Sequence, residues 1–272
     1  MRELISVICT VKNGENTIAN TIKSVLQQTY KNFEFIIIDD GSTDNTLNLL
    51  YEYQEKDERL KIYPTAGLGR SKALNMAVQY CAGEFIANID ADDLFHPQKL
   101  EIQMKVISQY GECFLVSTES QIIYDSEMPS WHYIELDNKT KPSTINSKLL
   151  IKNQISHPSV LMRRKFLLEL NSYNEKRNNQ IDYDLWLRAF SQGYKMLFID
   201  LKLVGKRIHS KQSFENKNRL KYTFSSMVLK LKFIFLNRRL HLVPIPVINF
   251  VFAQLPFRVR RHINSTLLEN KA

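Results

Sequence analysis

The stretch FEFIIIDDGSTDNT, residues 33–46, joins an apolar run to a polar turn. The run FEFIII (33–38) is almost entirely apolar, which is typical of a strand that a sheet buries on both faces. The turn is rich in residues that cap helices, and Leu47, Leu50 and Tyr51 follow it at helical spacing. A buried strand that passes directly into a helix is the repeating unit of a parallel α/β sheet.

The same unit recurs on both sides of that stretch. Three further runs predict buried strands, namely LISVICT (4–10), RLKIY (59–63) and EFIANI (84–89). Helical patterns separate these runs, and Pro97 is expected to open the helix after the last of them. We therefore predict an α/β fold in which a Rossmann-like, mostly parallel central sheet is flanked by helices.

Beyond residue 120 the alternation of strands and helices is less regular. Strands are predicted at 121–125, 159–162 and 195–200, and a helix is predicted at 181–193 with Gly193 at its end. The sequence contains neither repeats nor a low-complexity linker that would mark a domain boundary. Its 272 residues allow one large domain or one domain with an appendage.

Charge separates the last part of the chain from the rest. From residue 201 to the end there are 15 Lys and Arg against 2 Asp and Glu, whereas the remainder has a balance of −4. A basic tail favours an anionic partner, either a membrane surface or a nucleic acid. The three cysteines are far apart and form no CxxC pair, which argues against a disulfide framework and a cysteine zinc site. Because the N-terminus also has no signal-peptide pattern, we expect a cytoplasmic protein.

The tail itself mixes aliphatic, aromatic and basic residues. Its uncharged run LVPIPVINFVFAQLPF, after His241, is too short to span a bilayer and contains three prolines. We therefore expect residues 211–272 to form a basic, amphipathic helical extension that lies on the membrane surface, on the inner face of the cell membrane. Dimerisation through a helical hairpin is the alternative for this segment, and it would make the protein a homodimer.

Three carboxylates follow a predicted strand in EFIANIDADDLF (84–95). Asp90 and Asp92 stand two residues apart on a turn, so both can face one divalent cation, and hard oxygen ligands suit Mg²⁺ or Mn²⁺. The alternative is a solvated turn in which Asp93 caps the next helix. The acidic motif by itself leaves both interpretations open.

Other polar residues stand where the predicted strands end. Thr10, Asp40 and Asp90 could line one crevice, because ligands of parallel α/β sheets bind at the carboxyl ends of the strands. In that crevice Asp40 could accept a hydrogen bond from a nucleobase N–H. The alternative is a capped turn, with Gly41 at the bend and Ser42 or Thr43 capping a helix.

Taken in order, these segments resemble glycosyltransferase family 2, the inverting transferases with the GT-A fold. The resemblance rests on SVICTVKN, FIIIDDGSTD, GLGRSKALN, GEFIANIDADD, HPSVLMRR and IDYDLWLRA, and it covers about residues 4–210. It implies a GT-A domain over residues 1–210, with a nucleotide-binding half (1–117) and an acceptor half (118–210). The basic extension, residues 211–272, matches no common pattern of the family.

The resemblance also implies a donor site. The base, usually uracil, would be held by Asp40, and the diphosphate would be bridged by a Mn²⁺ or Mg²⁺ ion on Asp92. Arg70 and Lys72, after the glycine loop, could contact phosphate, although solvated helix charges are an equally good interpretation. The remaining residues implied to contact the nucleotide sugar are Thr10, Val11, Asn13, Asp90 and Ala91, of which Asp90 would contact the ribose or the metal.

The resemblance places the general base at Asp182. The acidic pair of the family reads Ile181-Asp182 here, so the first acid is missing and the second is retained. A helix N-terminus also favours acids through its dipole, and for Asp184 we prefer that interpretation because it can pair with Arg188. In some relatives a histidine in the region of His209 ligates the metal, but a lone histidine is more often a packing or surface residue.

The function implied is the metal-dependent, inverting transfer of a sugar from a UDP-linked donor to an acceptor hydroxyl. A lipid-linked glycan of surface polysaccharide, O-antigen or capsule assembly would be the acceptor. Two other classes are considered. A sugar-nucleotide nucleotidyltransferase would need a glycine-rich, basic loop, whereas CTVKNGENT (9–17) has one glycine and one lysine. A nucleic-acid-binding protein would explain the basic tail, but the tail contains no recognisable module, so we expect no nucleic-acid partner.

Overall fold

A computed structural model describes residues 3–124, 127–135, 141–208, 219–256 and 259. Contacts within the chain divide it into two compact units. The first comprises residues 1–146 and 153–210, and the second comprises residues 147–152 and 211–272. The predicted α/β sheet lies in the first unit.

The described part of the first unit is built on one mixed sheet. Its strand order is β3-β2-β1-β4-β8-β6-β9-β5, and β7 pairs with β9. The strands are β1 (Ile5–Val11), β2 (Phe33–Asp39), β3 (Leu60–Pro64), β4 (Phe85–Asn88), β5 (Leu94–Phe95), β6 (Cys113–Tyr124), β7 (Ser143–Thr144), β8 (Leu161–Arg163) and β9 (Lys195–Ile208). The helices are α1 (Ile18–Leu26), α2 (Thr46–Gln54), α3 (Arg70–Tyr80), α4 (Lys99–Gln109), α5 (Arg164–Glu169) and α6 (Ile181–Ser191).

Strands β1 to β4 form the parallel half of the sheet that the sequence predicts. Every residue of β2 is buried, in agreement with its continuous apolar run. Thr10 of β1 pairs with Ile38 of β2, and Ile8 pairs with Asn88 of β4. The carboxyl ends of these strands therefore lie at one edge of the sheet.

The other half of the sheet adds antiparallel pairings. Strand β8 is antiparallel to both β4 and β6, and β9 is parallel to β6. Strands β6 and β9 therefore run in the same direction as β1, and their carboxyl ends reach the same edge. Strand β5, which follows the acidic turn directly, pairs antiparallel with the end of β9.

The predicted start of the fourth helix is wrong by two residues. Helix α4 begins at Lys99 with Gln98 as its N-cap, so Pro97 lies in the preceding turn. The backbone oxygen of Pro97 accepts a bond from Thr29 N (2.9 Å), and Lys99 N donates to His96 O (2.9 Å). The second bond closes a turn before the helix begins, and the first joins that turn to the segment after α1.

The described part of the second unit is helical. It contains short 3-10 helices at Ser147–Leu150 and Leu240–Leu242, together with α7 (Arg219–Leu236) and α8 (Pro244–Gln254). Helices α7 and α8 pack through the rings of Phe224 and Phe250, whose centroids are 5.9 Å apart. Among the described residues, neither of these helices nor any other combines the length and apolar character that crossing a bilayer requires.

Candidate active site

The acidic turn stands at the carboxyl edge of the sheet, directly after β4. Arg70, at the start of α3, forms an ion pair with the Asp90 carboxylate, and His157 Nδ1 lies 3.9 Å from the same carboxylate oxygen. Burial would raise the pKa of Asp90, but the positive charge of Arg70, with a contribution from Lys206, outweighs it and holds that pKa below its usual value. Asp90 is therefore ionised at neutral pH and already has one cationic partner.

The next two carboxylates have different surroundings. Asp93 is buried, and its pKa is raised well above the usual value by burial and by the neighbouring charges of Asp90 and Asp92. One oxygen of Asp93 accepts a bond from Arg207 N (2.9 Å), and the other has no hydrogen-bond partner among the described residues. The alternative in which Asp93 caps the next helix is therefore wrong, since α4 begins at Lys99. Asp92 is half-buried and lies between its two acidic neighbours.

The surroundings of Asp90, Asp92 and Asp93 explain how three carboxylates can lie on one turn. Arg70 neutralises Asp90, and the raised pKa of Asp93 favours its neutral form. In addition, Arg207 Nε donates to the backbone oxygen of Asp92 at 3.1 Å and so fixes the turn to the end of β9. The fold thus holds the three carboxylates in place on this turn.

Asp40 holds the glycine loop at the end of β2. Its Oδ1 accepts bonds from Leu68 N (2.5 Å) and Thr65 Oγ1 (2.9 Å), and its Oδ2 accepts a bond from Gly69 N (2.9 Å). The preceding residue, Asp39, is also buried, and its Oδ2 has no partner among the described residues. The assignment of the nucleobase to Asp40 stays a prediction, and Asp39 offers a second buried acceptor at the same strand end.

The residues after β1 connect to the acidic loop after β2. Asn13 has a left-handed backbone (φ +55°), and its Oδ1 accepts a bond from Thr43 N at 2.8 Å. Asp40 N donates to Val11 O at 2.7 Å, which fixes the start of this loop beside β1. Thr10, half-buried, is the next-to-last residue of β1 and lies at the same edge. The predicted nucleoside-contacting residues are thus adjacent to one another, whereas their role remains a prediction.

Asp182 lies in the first turn of α6. Its Oδ2 accepts a bond from Asn153 Nδ2 at 3.2 Å. Its charge also acts on the ion-pair partner of Asp90: the pKa of Arg70 is raised first by Asp90 and also by Asp182. The pKa of Tyr173 is raised first by burial and then by Asp182. Asp182 therefore lies close enough to Arg70 for its charge to act there, and its role as the general base stays a prediction.

His157, whose Nδ1 lies 3.9 Å from an Asp90 oxygen, takes part in two buried hydrogen bonds. His157 Nδ1 is 2.9 Å from Asn88 Nδ2, and His157 Nε2 is 2.9 Å from the Tyr173 hydroxyl. Burial lowers the pKa of His157 to about 4, against the opposing effect of Asp90 and Asp182. At neutral pH His157 is therefore an uncharged hydrogen-bonding group that joins strand β4 to the segment before α6.

Helix α3 is fastened to that same segment. Asn75 Nδ2 donates to Tyr173 O and Asn75 Oδ1 accepts a bond from Tyr173 N, both at 2.9 Å. Ser71 Oγ donates to Arg177 O at 2.7 Å. Because α3 begins with Arg70 and the fastened segment leads into α6, these bonds fix the position of Arg70 relative to Asp182.

The other sequence-predicted residues have mixed outcomes. Arg188 Nε donates to Asp184 Oδ2 at 2.8 Å, which confirms the predicted pair. Lys72 is exposed and forms no ion pair with an acidic side chain among the described residues. Ala91 contributes a backbone oxygen, which accepts a bond from Thr21 Oγ1 at 3.0 Å. His209 lies outside the described residues.

The donor set suits a hard divalent cation that is shared with a substrate. The described residues contain no group of three or more His, Cys, Asp or Glu side chains that could hold a metal ion. A Mg²⁺ or Mn²⁺ ion that binds substrate phosphates needs only one or two protein carboxylates, with water and phosphate as its other ligands. Asp90 and Asp92 supply two carboxylates of this kind on one turn.

Several residues of the site escape the sequence analysis. Asn153 and Tyr173 carry no local signal, because an isolated Asn or Tyr in an irregular segment has many uses. Lys206 stands near the end of the last strand, and its positive charge contributes to lowering the pKa of Asp90. Lys206 could be found from the sequence only as a basic residue at the carboxyl end of a strand. The sequence predicts that this strand ends at residue 200, so Lys206 is missed.

Comparison with known proteins identifies the family. Residues 6–170 match the family described as Glycosyl transferase family 2. The chain is 33% identical over 215 residues to the O-antigen biosynthesis glycosyltransferase WbnJ of Escherichia coli, covering 78% of this chain and 82% of that protein. An uncharacterised glycosyltransferase of Rickettsia conorii is 30% identical over 213 residues, but the chain spans only 35% of its length.

Solved structures share the fold at low sequence identity. TarS of S. aureus (residues 1–349, in complex with UDP-GlcNAc) matches with a TM-score of 0.69 and 17% identity, over 93% of this chain and 76% of that chain. The mannosyltransferase PcManGT of Pyrobaculum calidifontis, in complex with GDP-Man and Mn²⁺, matches with a TM-score of 0.67 and 14% identity, over 100% of this chain and 81% of that chain. The sheet described above is thus the GT-A fold that the sequence predicts.

Proposed function

The chain belongs to glycosyltransferase family 2, and we propose that it transfers a sugar from a UDP-linked donor to an acceptor hydroxyl with inversion at the anomeric carbon. The observation that carries this proposal is the meeting of two acidic groups at the carboxyl edge of the sheet. Asp90 and Asp92 stand on the turn after β4, and Asp182 stands in the first turn of α6, where its charge acts on Arg70, the ion-pair partner of Asp90. This is the pair of functions that glycosyl transfer needs: a site for the diphosphate and a base for the acceptor.

Asp182 is the general base of the proposed reaction. Its carboxylate accepts the proton of the acceptor hydroxyl while that oxygen forms a bond to the anomeric carbon. The bond from the anomeric carbon to the diphosphate oxygen breaks, and its electron pair leaves with the nucleoside diphosphate. Attack opposite the leaving group inverts the anomeric centre. Asn153, which donates to Asp182, orients the carboxylate for this proton transfer.

Asp90 and Asp92 would hold the divalent cation. When bound, such an ion supplies positive charge that stabilises the leaving diphosphate. The fold supports these carboxylates with Arg70 and with the bonds from Arg207 to the turn. A uridine donor is proposed because the family resemblance places uracil at Asp40. The fold neighbours were solved with UDP-GlcNAc and with GDP-Man, so both bases belong in any test.

We further propose a division of labour along the chain. Residues 1–210 form the catalytic domain, and residues 211–272 attach the protein to the cytoplasmic face of a membrane that carries a lipid-linked glycan acceptor. Exposed Leu220, Phe224 and Val228 lie four residues apart on α7 and so share one helical face. With the excess of basic residues in this segment, that apolar face suits an interfacial helix on anionic lipid. The name of the relative WbnJ, O-antigen biosynthesis, is consistent with such an acceptor.

Liposome flotation tests the membrane part of the proposal. The full chain is expected to float with anionic vesicles and not with neutral ones, and a chain cut near residue 218 is expected to remain in the lower fraction. Equal behaviour of the two chains would refute membrane attachment by residues 211–272. A full-length dimer that does not float would support the helical-hairpin alternative in its place.

A screen for donor hydrolysis tests the reaction itself. Purified protein is incubated with a panel of UDP- and GDP-sugars in the presence of Mn²⁺, Mg²⁺ or EDTA, and free nucleoside diphosphate is measured. Cleavage is expected with one UDP-sugar and a divalent ion, and the loss of cleavage in Asp92→Asn should exceed tenfold. Asp200→Asn, at an exposed position, is the matched control. Cleavage that is as fast in EDTA as in Mn²⁺ would refute the metal-dependent mechanism.

A further inference from the structure

Lys206 stands at the carboxyl edge of the sheet because of the strand topology. Gly205 pairs with Leu94 of β5, the second residue after Asp92 in the chain. Arg207 N donates to Asp93 Oδ1 at 2.9 Å. Lys206 therefore lies between two residues that are each joined to the acidic turn, and its position relative to that turn is fixed by backbone pairing.

The side chain of Lys206 is available for a ligand. Successive residues of a strand point to opposite faces, and here Arg207 is buried whereas Lys206 is exposed. Among the described residues Lys206 takes part in no ion pair within 4 Å. The other cation of the site, Arg70, is paired with Asp90. Unlike Arg70, Lys206 therefore forms no ion pair with the acidic turn in the described part of the site.

Negative charges are concentrated at this edge of the sheet in the proposed complex with the donor, so a nearby cation would stabilise that complex. Asp90, Asp92 and Asp182 face a donor whose diphosphate is itself negative, and the charge on its terminal oxygen increases as the bond to the sugar breaks. The charge of Lys206 acts on both Asp90 and Asp93, since it opposes the rise in pKa of Asp93 and lowers the pKa of Asp90. A primary ammonium on a flexible stem binds phosphate as a point charge.

We propose that Lys206 is a catalytic residue whose ammonium contacts the diphosphate of the nucleotide donor and stabilises it as the leaving group. The proposal rests on the proposed function, because it assumes a nucleoside diphosphate at Asp90 and Asp92. It adds a residue from the end of β9 to the site. It also differs from a structural role, in which Lys206 would only offset the negative charge of the acidic turn.

Binding of UDP and of uridine separates these two roles. Calorimetric titrations compare the wild type with Lys206→Gln, Lys206→Arg and the control Lys202→Gln, which changes an exposed lysine of the same strand. Lys206→Gln is expected to weaken UDP binding by about tenfold, or ~1.4 kcal/mol, and to leave uridine binding unchanged, since uridine has no phosphate. Lys206→Arg should recover most of the UDP affinity, and Lys202→Gln should match the wild type.

Three results would overturn the proposal. A less than twofold loss of UDP affinity in Lys206→Gln would show that the ammonium does not contact the diphosphate. An equal loss for UDP and uridine would show that Lys206 supports the structure of the turn. If the wild type binds none of the four compounds UDP, uridine, GDP and guanosine, the proposed function fails, and the Lys206 proposal fails with it. That last result is recognised from the wild type alone.

Discussion

The uncharged state of His157 predicts a specific loss of stability in acid. Burial lowers the pKa of this side chain from 6.5 to about 4. The unfolded chain therefore accepts a proton near pH 6.5, whereas the folded protein does not accept it until the pH approaches 4. The stability that neutral His157 allows is fully present above pH 6.5 and is lost as the pH falls toward 4.

The size of the effect follows from the two pKa values. At ~1.36 kcal/mol per pKa unit, the gap between 6.5 and about 4 corresponds to at most about 3 kcal/mol. Most of this loss, about 2.5 kcal/mol, should occur between pH 7.5 and pH 4.5. In His157→Gln, which cannot titrate, this contribution should be missing.

The assay is urea unfolding followed by circular dichroism at both pH values, in EDTA and without nucleotide. The free energy of unfolding of the wild type should fall by about 2.5 kcal/mol more than that of His157→Gln over this interval. His96, whose pKa is also lowered by burial, contributes equally to both proteins and cancels in the comparison. If the two proteins lose the same stability, His157 is not a buried neutral group, and its bonds to Asn88 and Tyr173 are not as described.

Three further changes test the framework around the site. Glu34→Gln should cost about 2 kcal/mol at pH 7 because it removes the charge partner of Lys61 (2.6 Å). Burial would raise the pKa of Glu34, but the bonds from Lys61, Ser6 and Ala82 together outweigh it and hold that pKa below its usual value of 4.5. This cost should therefore decrease as the pH falls below 4.5; equal cost at pH 3 and pH 7 in urea titrations would contradict this. Asn75→Ala leaves the buried backbone of Tyr173 without two partners and should lower thermal stability by about 2 kcal/mol, together with kcat; unchanged melting and kcat would contradict it. Gly83→Ala would place a Cβ 2.7 Å from Leu4 O and Ser6 N at the start of β1, so it should lower the melting temperature, and a variant with wild-type melting would refute the close approach.

The first half of the fold is predictable because its signals are local. A buried strand such as Phe33–Asp39 is recognised from its own apolar run, and an acid at its end is recognised from the next few residues. The GT-A fold and the family follow from the order of these segments. Strand β5 (Leu94–Phe95) is too short for any periodicity to show, and its existence depends on pairing with Gly205, which lies far away in the chain.

The connections within the site are not predictable for the same reason. The role of Tyr173 depends on its hydrogen bonds to His157 and Asn75, which belong to other elements of the fold. The sequence predicts that Asp40 binds the nucleobase, but it does not indicate that its carboxylate holds the glycine loop, because that depends on where residues 65–69 fold. The sequence indicates which side chains can do chemistry, whereas their partners depend on contacts between distant segments.

The most direct test of the proposed mechanism is the effect of Asp182→Asn on turnover and on donor binding, measured with the same nucleotide sugar. This amide has nearly the same shape as the carboxylate but cannot accept the acceptor proton, so transfer should fall by at least a hundredfold. UDP affinity should stay within about threefold of wild type, a difference below ~1 kcal/mol, because the proposed diphosphate site is at Asp90 and Asp92 and not at Asp182. Near-normal transfer by Asp182→Asn would contradict the assignment of the base and, with it, the mechanism.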